Sequence, residues 1–211
     1  MSMQYARPAI AAPAAFLAAV AGVTTVLAAA TWTVRPGGPV SLTTSGLLRV
    51  RDPSTATVLT CTSSHLSGTL KHGGGLSGTG IGSVTSGSFT HCNGPLGLPF
   101  TLTASGLPWH VNLTSYHATT GVAAGNLSHA QLKLAGSNCR AVIDGASGTA
   151  RDGIIRFTYT TSTATLTVLP NRGNLHFYNL SRGCAGLFTA GDPATFSGKL
   201  SVRPEQTITS P

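Results

Sequence analysis

Acidic residues are nearly missing from this 211-residue chain: five Asp and Glu stand against 13 Lys and Arg, and charged residues make up only 9%. A glycosidase needs two carboxylates facing each other across a cleft. Here Asp52, Asp144, Asp152 and Asp192 all fall in turn dipeptides with Gly or Pro or beside them, and Glu205 lies near the tail. That leaves no carboxylate pair for such chemistry. Other signatures are missing as well. No Gly-x-Ser-x-Gly elbow occurs; Gly75-Leu76-Ser77-Gly78 and Gly145-Ala146-Ser147-Gly148 lack the final spacing. The four cysteines contain no Cys-x-x-Cys pair, which removes zinc-ribbon and thioredoxin-like readings. Seven histidines (His65, His72, His91, His110, His117, His129 and His176) form no His-x-His or His-Glu-x-x-His motif. No Lys/Arg cluster marks a nucleic-acid surface. The residues therefore predict no catalytic group, no cofactor and no metal, and a protein that is not an enzyme.

Long apolar runs are also absent, with one exception. Residues 9–30 are Ala-rich, carry Phe16, Leu17, Val20, Val23, Val26 and Leu27, follow Arg7 and end in Ala28-Ala29-Ala30. A basic start, an apolar stretch and a small-residue end describe a signal peptide over residues 1–30. A run of this length is also just enough to span a bilayer uncleaved. Pro13 and the alanines make it a mediocre anchor, so the favoured expectation is a secreted protein, with membrane anchoring as the alternative.

The rest of the chain, residues 31–211, reads as a single all-β domain. Apolar stripes with the 3.6-residue helical period do not appear there, and period two prevails. Trp109, Val111 and Leu113 alternate with His110, Asn112 and Thr114. Ile155, Phe157 and Tyr159 alternate with Arg156 and Thr158. Turn signals punctuate the runs: Asp52-Pro53, Asp144-Gly145, Asp152-Gly153 and Asp192-Pro193. Pro170-Asn171-Arg172-Gly173 reads as a hairpin connection. Lys71 to Gly82, centred on Gly73-Gly74-Gly75, reads as a mobile loop. Some ten short strands suit a two-sheet antiparallel sandwich, the preferred architecture, or a closed β-barrel. An even number of cysteines fits an oxidising compartment. Cys61–Cys92 and Cys139–Cys184 are the favoured pairs, because each closes the shorter loop, giving two linked halves of about 59–92 and 139–184.

Three groups of residues are candidates for contact. His110, Asn112 and Tyr116 read as one exposed row that could meet sugar rings or a protein. Arg49, Arg51, Lys133 and Arg156 occupy polar strand phases and would form a basic stripe if their strands were neighbours; such charges also protect sheet edges. With a net charge of +8, an anionic cell-wall polymer or membrane surface is the expected partner. Trp109, Val111, Phe157, Tyr159 and Val168 would line the interior of a barrel. Asn112-Leu113-Thr114, Asn126-Leu127-Ser128 and Asn179-Leu180-Ser181 match the glycosylation pattern, a frequent chance match in so Ser/Thr-rich a chain.

Leu59-Thr60-Cys61-Thr62-Ser63-Ser64, Gly106-Leu107-Pro108-Trp109-His110 and Gly191-Asp192-Pro193-Ala194-Thr195-Phe196-Ser197-Gly198 together resemble a group of secreted proteins from Streptomyces-like actinobacteria. The resemblance covers most of residues 31–211. It implies export and a high-GC, Gram-positive origin, and transfers no site. Two functions are carried forward: an exported structural or binding protein of the cell surface, without catalysis, and a β-barrel carrier of a small apolar ligand. The carrier requires an interior cavity of a few hundred cubic ångströms, roughly the lower end of ordinary ligand pockets.

Overall fold

The computed structural model describes residues 31–211 except 137, 149 and 171. The expected signal segment, residues 1–30, lies outside the described residues. The strands in chain order are β1 (Trp32–Arg35), β2 (Gly38–Thr44), β3 (Leu48–Arg51), β4 (Val58–Leu70), β5 (Gly73–Leu76), β6 (Gly82–Asn93), β7 (Pro99–Ser105) and β8 (Trp109–His117). They continue as β9 (Val122–Ser128), β10 (Gln131–Gly136), β11 (Arg140–Asp144), β12 (Ile154–Thr160), β13 (Thr165–Val168), β14 (His176–Tyr178), β15 (Thr195–Arg203) and β16 (Thr207–Thr209). Three short 3-10 turns are the only helical pieces among the described residues.

The all-β reading holds, and of the two architectures considered the chain forms the barrel. Strands β2, β4, β6, β8, β9, β12, β13 and β15 pair in that order, all antiparallel, and β15 pairs back onto β2. Closure removes the unpaired edges that an open sheet would expose. Alternation decides which face turns inward. On β12, Ile155, Phe157 and Tyr159 are buried while Arg156 points out. Each such side chain contributes about 1.5–3 kcal/mol by leaving water. A one-residue slip would put Arg156 in the core, so the register is firmly set. β2 and β3 act as one stave: both lie between β4 and β15, and the pairing shifts where Ser45–Leu47 interrupts them.

A second storey extends from one end of this barrel. The first half of β6 (Gly82–Val84) pairs with β8, whereas its second half (Ser88–Asn93) pairs with β7. From β7 the sheet runs on through β10, β11 and β14. It returns through backbone bonds between β14 and residues 191–194, which lead into β15. The interior here is packed. Phe177 stacks on Phe188 at 4.5 Å between centroids, and Phe100 meets Phe188 edge-on at 6.5 Å. Both expected disulfides form in this storey, Cys61–Cys92 and Cys139–Cys184. They belong to one end of the molecule, because Cys61, Cys92, Phe100 and Gly136 are consecutive register partners and the Gly136 amide bonds to the Cys139 carbonyl.

The opposite end of the barrel is covered by a three-stranded sheet, β16-β1-β5. Two local expectations change here. The Gly-rich stretch expected to be a mobile loop supplies β5, the edge strand of this cap, and leads directly into β6. Gly73 and Gly75 take positive φ, which glycine adopts without cost. The expected hairpin at Pro170–Gly173 is instead a crossover: β13 pairs with β12 and β15, while β14 pairs with β11. The crossover is held where the Asn174 side chain accepts the Ile154 amide at 2.7 Å.

Candidate functional site

The alternating strands leave a slender void along the barrel axis. Its volume is about 90 Å³, and its exposed wall is entirely apolar. Every stave contributes to the wall, and Val34, Gln206 and Ile208 close it from the cap side. At the other end it reaches Leu48, Phe89 and Phe196. The lining residues thus run from the cap to the lower storey. The five residues expected to line a barrel (Trp109, Val111, Phe157, Tyr159 and Val168) all do so. The volume corrects the expectation of a few hundred cubic ångströms: large inward side chains fill most of the interior, well below the roughly 300–1,000 Å³ of ordinary ligand pockets. Apolar cavities stay dry and accept apolar guests.

Polar groups at the capped end are satisfied among themselves. The Tyr159 hydroxyl donates to the Gln206 carbonyl at 2.8 Å and accepts the Gln206 amide at 3.1 Å. The Gln206 side chain accepts the Gly37 amide at 2.9 Å and donates to the Pro204 carbonyl at 3.0 Å. Burial raises the Tyr159 pKa above its usual 10.0; the Gln206 amide bond opposes this, Glu205 adds to it and Arg203 opposes it. Trp109 gives its indole N–H to the Ser105 carbonyl at 2.9 Å, which leaves its ring to the channel. A guest therefore meets hydrocarbon along the wall and no free hydrogen-bonding group at the capped end. Sequence reasoning named only those five lining residues; among the ones it missed, Val34, Gln206 and Ile208 come from the cap side. They lie on or just before the short strands β1 and β16 near opposite ends of the chain, and only the pairing of those strands makes them a lid.

The candidate surface residues separate. His110 and Asn112 do share the outer face of β8. Asn112 donates to Asn126 and Ser128, each at 3.0 Å, and accepts the Gly80 amide at 2.8 Å. His110 lies 5.0 Å from His129, ring to ring. Tyr116 does not join them. A bulge between Leu113 and Ser115 shifts the register, so Tyr116 pairs with buried Ala123 and packs edge-on against Trp32 at 6.5 Å. Arg49 and Arg51 stand together on β3, both exposed. Lys133, on β10, is separated from them by β4, β6 and β7, and Arg156, on β12, by β15 and β13. The basic stripe is thus only the β3 pair. Arg156 instead borders two surface clefts of about 320 and 410 Å³. Among the described residues, no three His, Cys, Asp or Glu side chains gather as a metal site.

The two disulfides suit an oxidising, extracellular type of compartment, and no helix among the described residues is long and apolar enough to cross a membrane. Over residues 5–210 the chain matches the family described as alkane oxidation protein activator PraA/PraB-like. No curated protein and no solved structure matches it.

Proposed function

From the premise that the chain belongs to this PraA/PraB-like family of alkane oxidation protein activators, we propose that it is an exported, non-catalytic binding protein whose barrel takes a short apolar chain, shorter than a cavity of a few hundred cubic ångströms would hold. The observation that carries this reading is the apolar void along the axis of a closed and capped barrel. A space this small admits only a short apolar chain. The satisfied Tyr159–Gln206 pair offers nothing to a carboxylate, and burying an unpaired charge is costly. Saturated hydrocarbon therefore fits better than the corresponding fatty acid. Activation of alkane oxidation would follow from carrying a scarcely soluble substrate through water.

Trp109 provides the test, since it lines the channel and is 1% exposed. A short bromoalkane should quench its emission saturably, and n-pentane should reverse the quenching. Val111→Phe, which narrows the space without adding an emitter, should abolish the saturable quenching while the protein still unfolds cooperatively. Absence of saturable quenching in the parent, or equal quenching in the Val111→Phe variant, would overturn the proposal.

A further inference from the structure

The disulfide-bonded end of the molecule carries a feature that hydrocarbon carriage does not use. β6 and β7 are joined by a tight turn, Pro95-Leu96-Gly97-Leu98, at its extreme. Leu96 is fully exposed, at 101% relative to a free side chain, and Leu98 is 40% exposed. Leu96 also adopts the left-handed conformation, φ +56°, which a residue with a Cβ rarely does. The turn is nonetheless firmly built. The Gly94 amide donates to the Leu98 carbonyl at 2.8 Å, and the Leu98 amide to the Pro95 carbonyl at 3.2 Å. A Cβ on Gly94 would stand 2.7 Å from the Phe100 ring and 2.9 Å from Leu59, so the stem is packed hard onto the lower storey. Two residues before it, Cys92 is bonded to Cys61. The leucines are thus held out by a braced stem.

Arginines flank this tip on both sides. Ser197, Arg49, Thr60, Asn93 and Pro99 are successive register partners, so Arg49 lies in the row that closes the turn. It is two strands from Asn93, about 10 Å at normal sheet spacing, and Arg51 continues along the same edge. On the other side Ala135 pairs with both Thr101 and Arg140, which sets Arg140 two strands from β7. Arg182 adjoins it through the bonds between Arg140 and Ser181. All four arginines are exposed. The acid beside Arg51, Asp52, is fully buried, and its carboxylate accepts the Ser54 and Thr55 amides. The one ion pair among the described residues, Arg203–Glu205, belongs to the capped end.

We propose that this end docks on an anionic lipid surface, with Leu96 and Leu98 entering the headgroup boundary and Arg49, Arg51, Arg140 and Arg182 meeting the phosphates. An apolar tip ringed by cations has that chemistry. A purely ionic polymer would use the arginines and leave the leucines in water. The inference is independent of what the barrel holds.

Flotation with phosphatidylglycerol/phosphatidylcholine vesicles tests it. The full chain should bind these vesicles at least tenfold more tightly than phosphatidylcholine alone, and half-molar salt should release it. Leu96→Ser with Leu98→Ser should weaken binding at least tenfold, and Arg49→Gln with Arg51→Gln comparably, with melting temperatures unchanged. Lys71→Gln, exposed at the capped end, should bind as the parent does. No binding to anionic vesicles would overturn the proposal. So would undiminished binding by the leucine variant, or binding to purified anionic wall polymer without binding to vesicles.

Discussion

The Tyr159 hydroxyl and the Gln206 backbone form a reciprocal pair, with the hydroxyl donating to the carbonyl at 2.8 Å and accepting the amide at 3.1 Å. This pair ties β12 of the barrel wall to the segment entering the cap, and both residues are buried. The lid is therefore fastened to the barrel by one side chain as well as by packing. Replacing Tyr159 with Phe keeps the ring and strands a buried N–H and C=O. An unsatisfied buried group costs about 1–3 kcal/mol, so the Tyr159→Phe variant should lose about that much stability. The urea midpoint should fall with an unchanged slope.

The same pair makes an alkaline prediction. Burial raises the Tyr159 pKa in the folded protein above 10.0. The unfolded chain then gives up this proton first as pH rises. The stabilisation is complete below pH 10 and is lost as pH climbs through the raised folded value. Tyr159→Phe lacks this proton. The stability gap between the two proteins, followed by urea titration at successive pH values, should be constant below pH 10 and narrow above it. A gap that widens with pH would reverse the assignment.

Much of the barrel was legible because alternation is local. Ile155-Arg156-Phe157-Thr158-Tyr159 shows its own inner and outer faces, and the five expected lining residues all reach the channel. Three features were not legible, each for a physical reason. Closure depends on β15 pairing with β2, strands near opposite ends of the chain, and the choice between sandwich and barrel lies in that pairing. The bulge near Thr114 adds one residue to β8 without any Gly or Pro to announce it, so Tyr116 was placed on the wrong face. The glycines of β5 have no side chains to alternate, and they became a strand because the cap needed an edge beside β1.

The bulge itself is open to test. If Tyr116 faces the core, Tyr116→Ala should remove its edge-on contact with Trp32 and part of its buried area. Such a pair contributes about 0.5–1.5 kcal/mol beyond area, so a loss of roughly 2–3 kcal/mol is expected with burial included. His110→Ala, on the exposed face of the same strand, should stay within about 0.5 kcal/mol of the parent. Equal effects in denaturant titrations would contradict the inward placement.

The disulfides should govern stability without governing the channel. Their sequence separations are 31 and 45 residues, for which the chain-entropy model gives an upper estimate of about 4 kcal/mol each. Neither disulfide lines the channel, although Cys61 pairs with Leu48 at its lower end. Replacing either pair with Ala should lower the denaturant midpoint substantially. Under conditions where the variants remain folded, Trp109 quenching by a bromoalkane should keep its affinity. Loss of quenching in a folded variant would show that the storeys are coupled.

Gly125 tests how closely the wall is built. It pairs with Leu113 on one side and Phe157 on the other. A Cβ there would fall 2.2 Å from the Asn112 carbonyl oxygen and 3.0 Å from the Phe157 ring. Neither neighbour yields freely, because the carbonyl belongs to the β8 ladder and Phe157 lines the channel. Gly125→Ala must push the strands apart or drive Phe157 inward. Overpacking of this kind costs about 1–3 kcal/mol, and the inward route also takes volume from a bore that has little to spare. Gly121→Ala, in the β8–β9 turn, is the control: its Cβ would meet no atom within 4 Å, so only the positive φ of 63° is strained. The Gly125 variant should lose both stability and bromoalkane affinity, the Gly121 variant stability alone. If Gly125→Ala loses stability but keeps the parent's affinity, the strands have parted and Phe157 has stayed in place, and the narrowness of the bore is then not set by this contact.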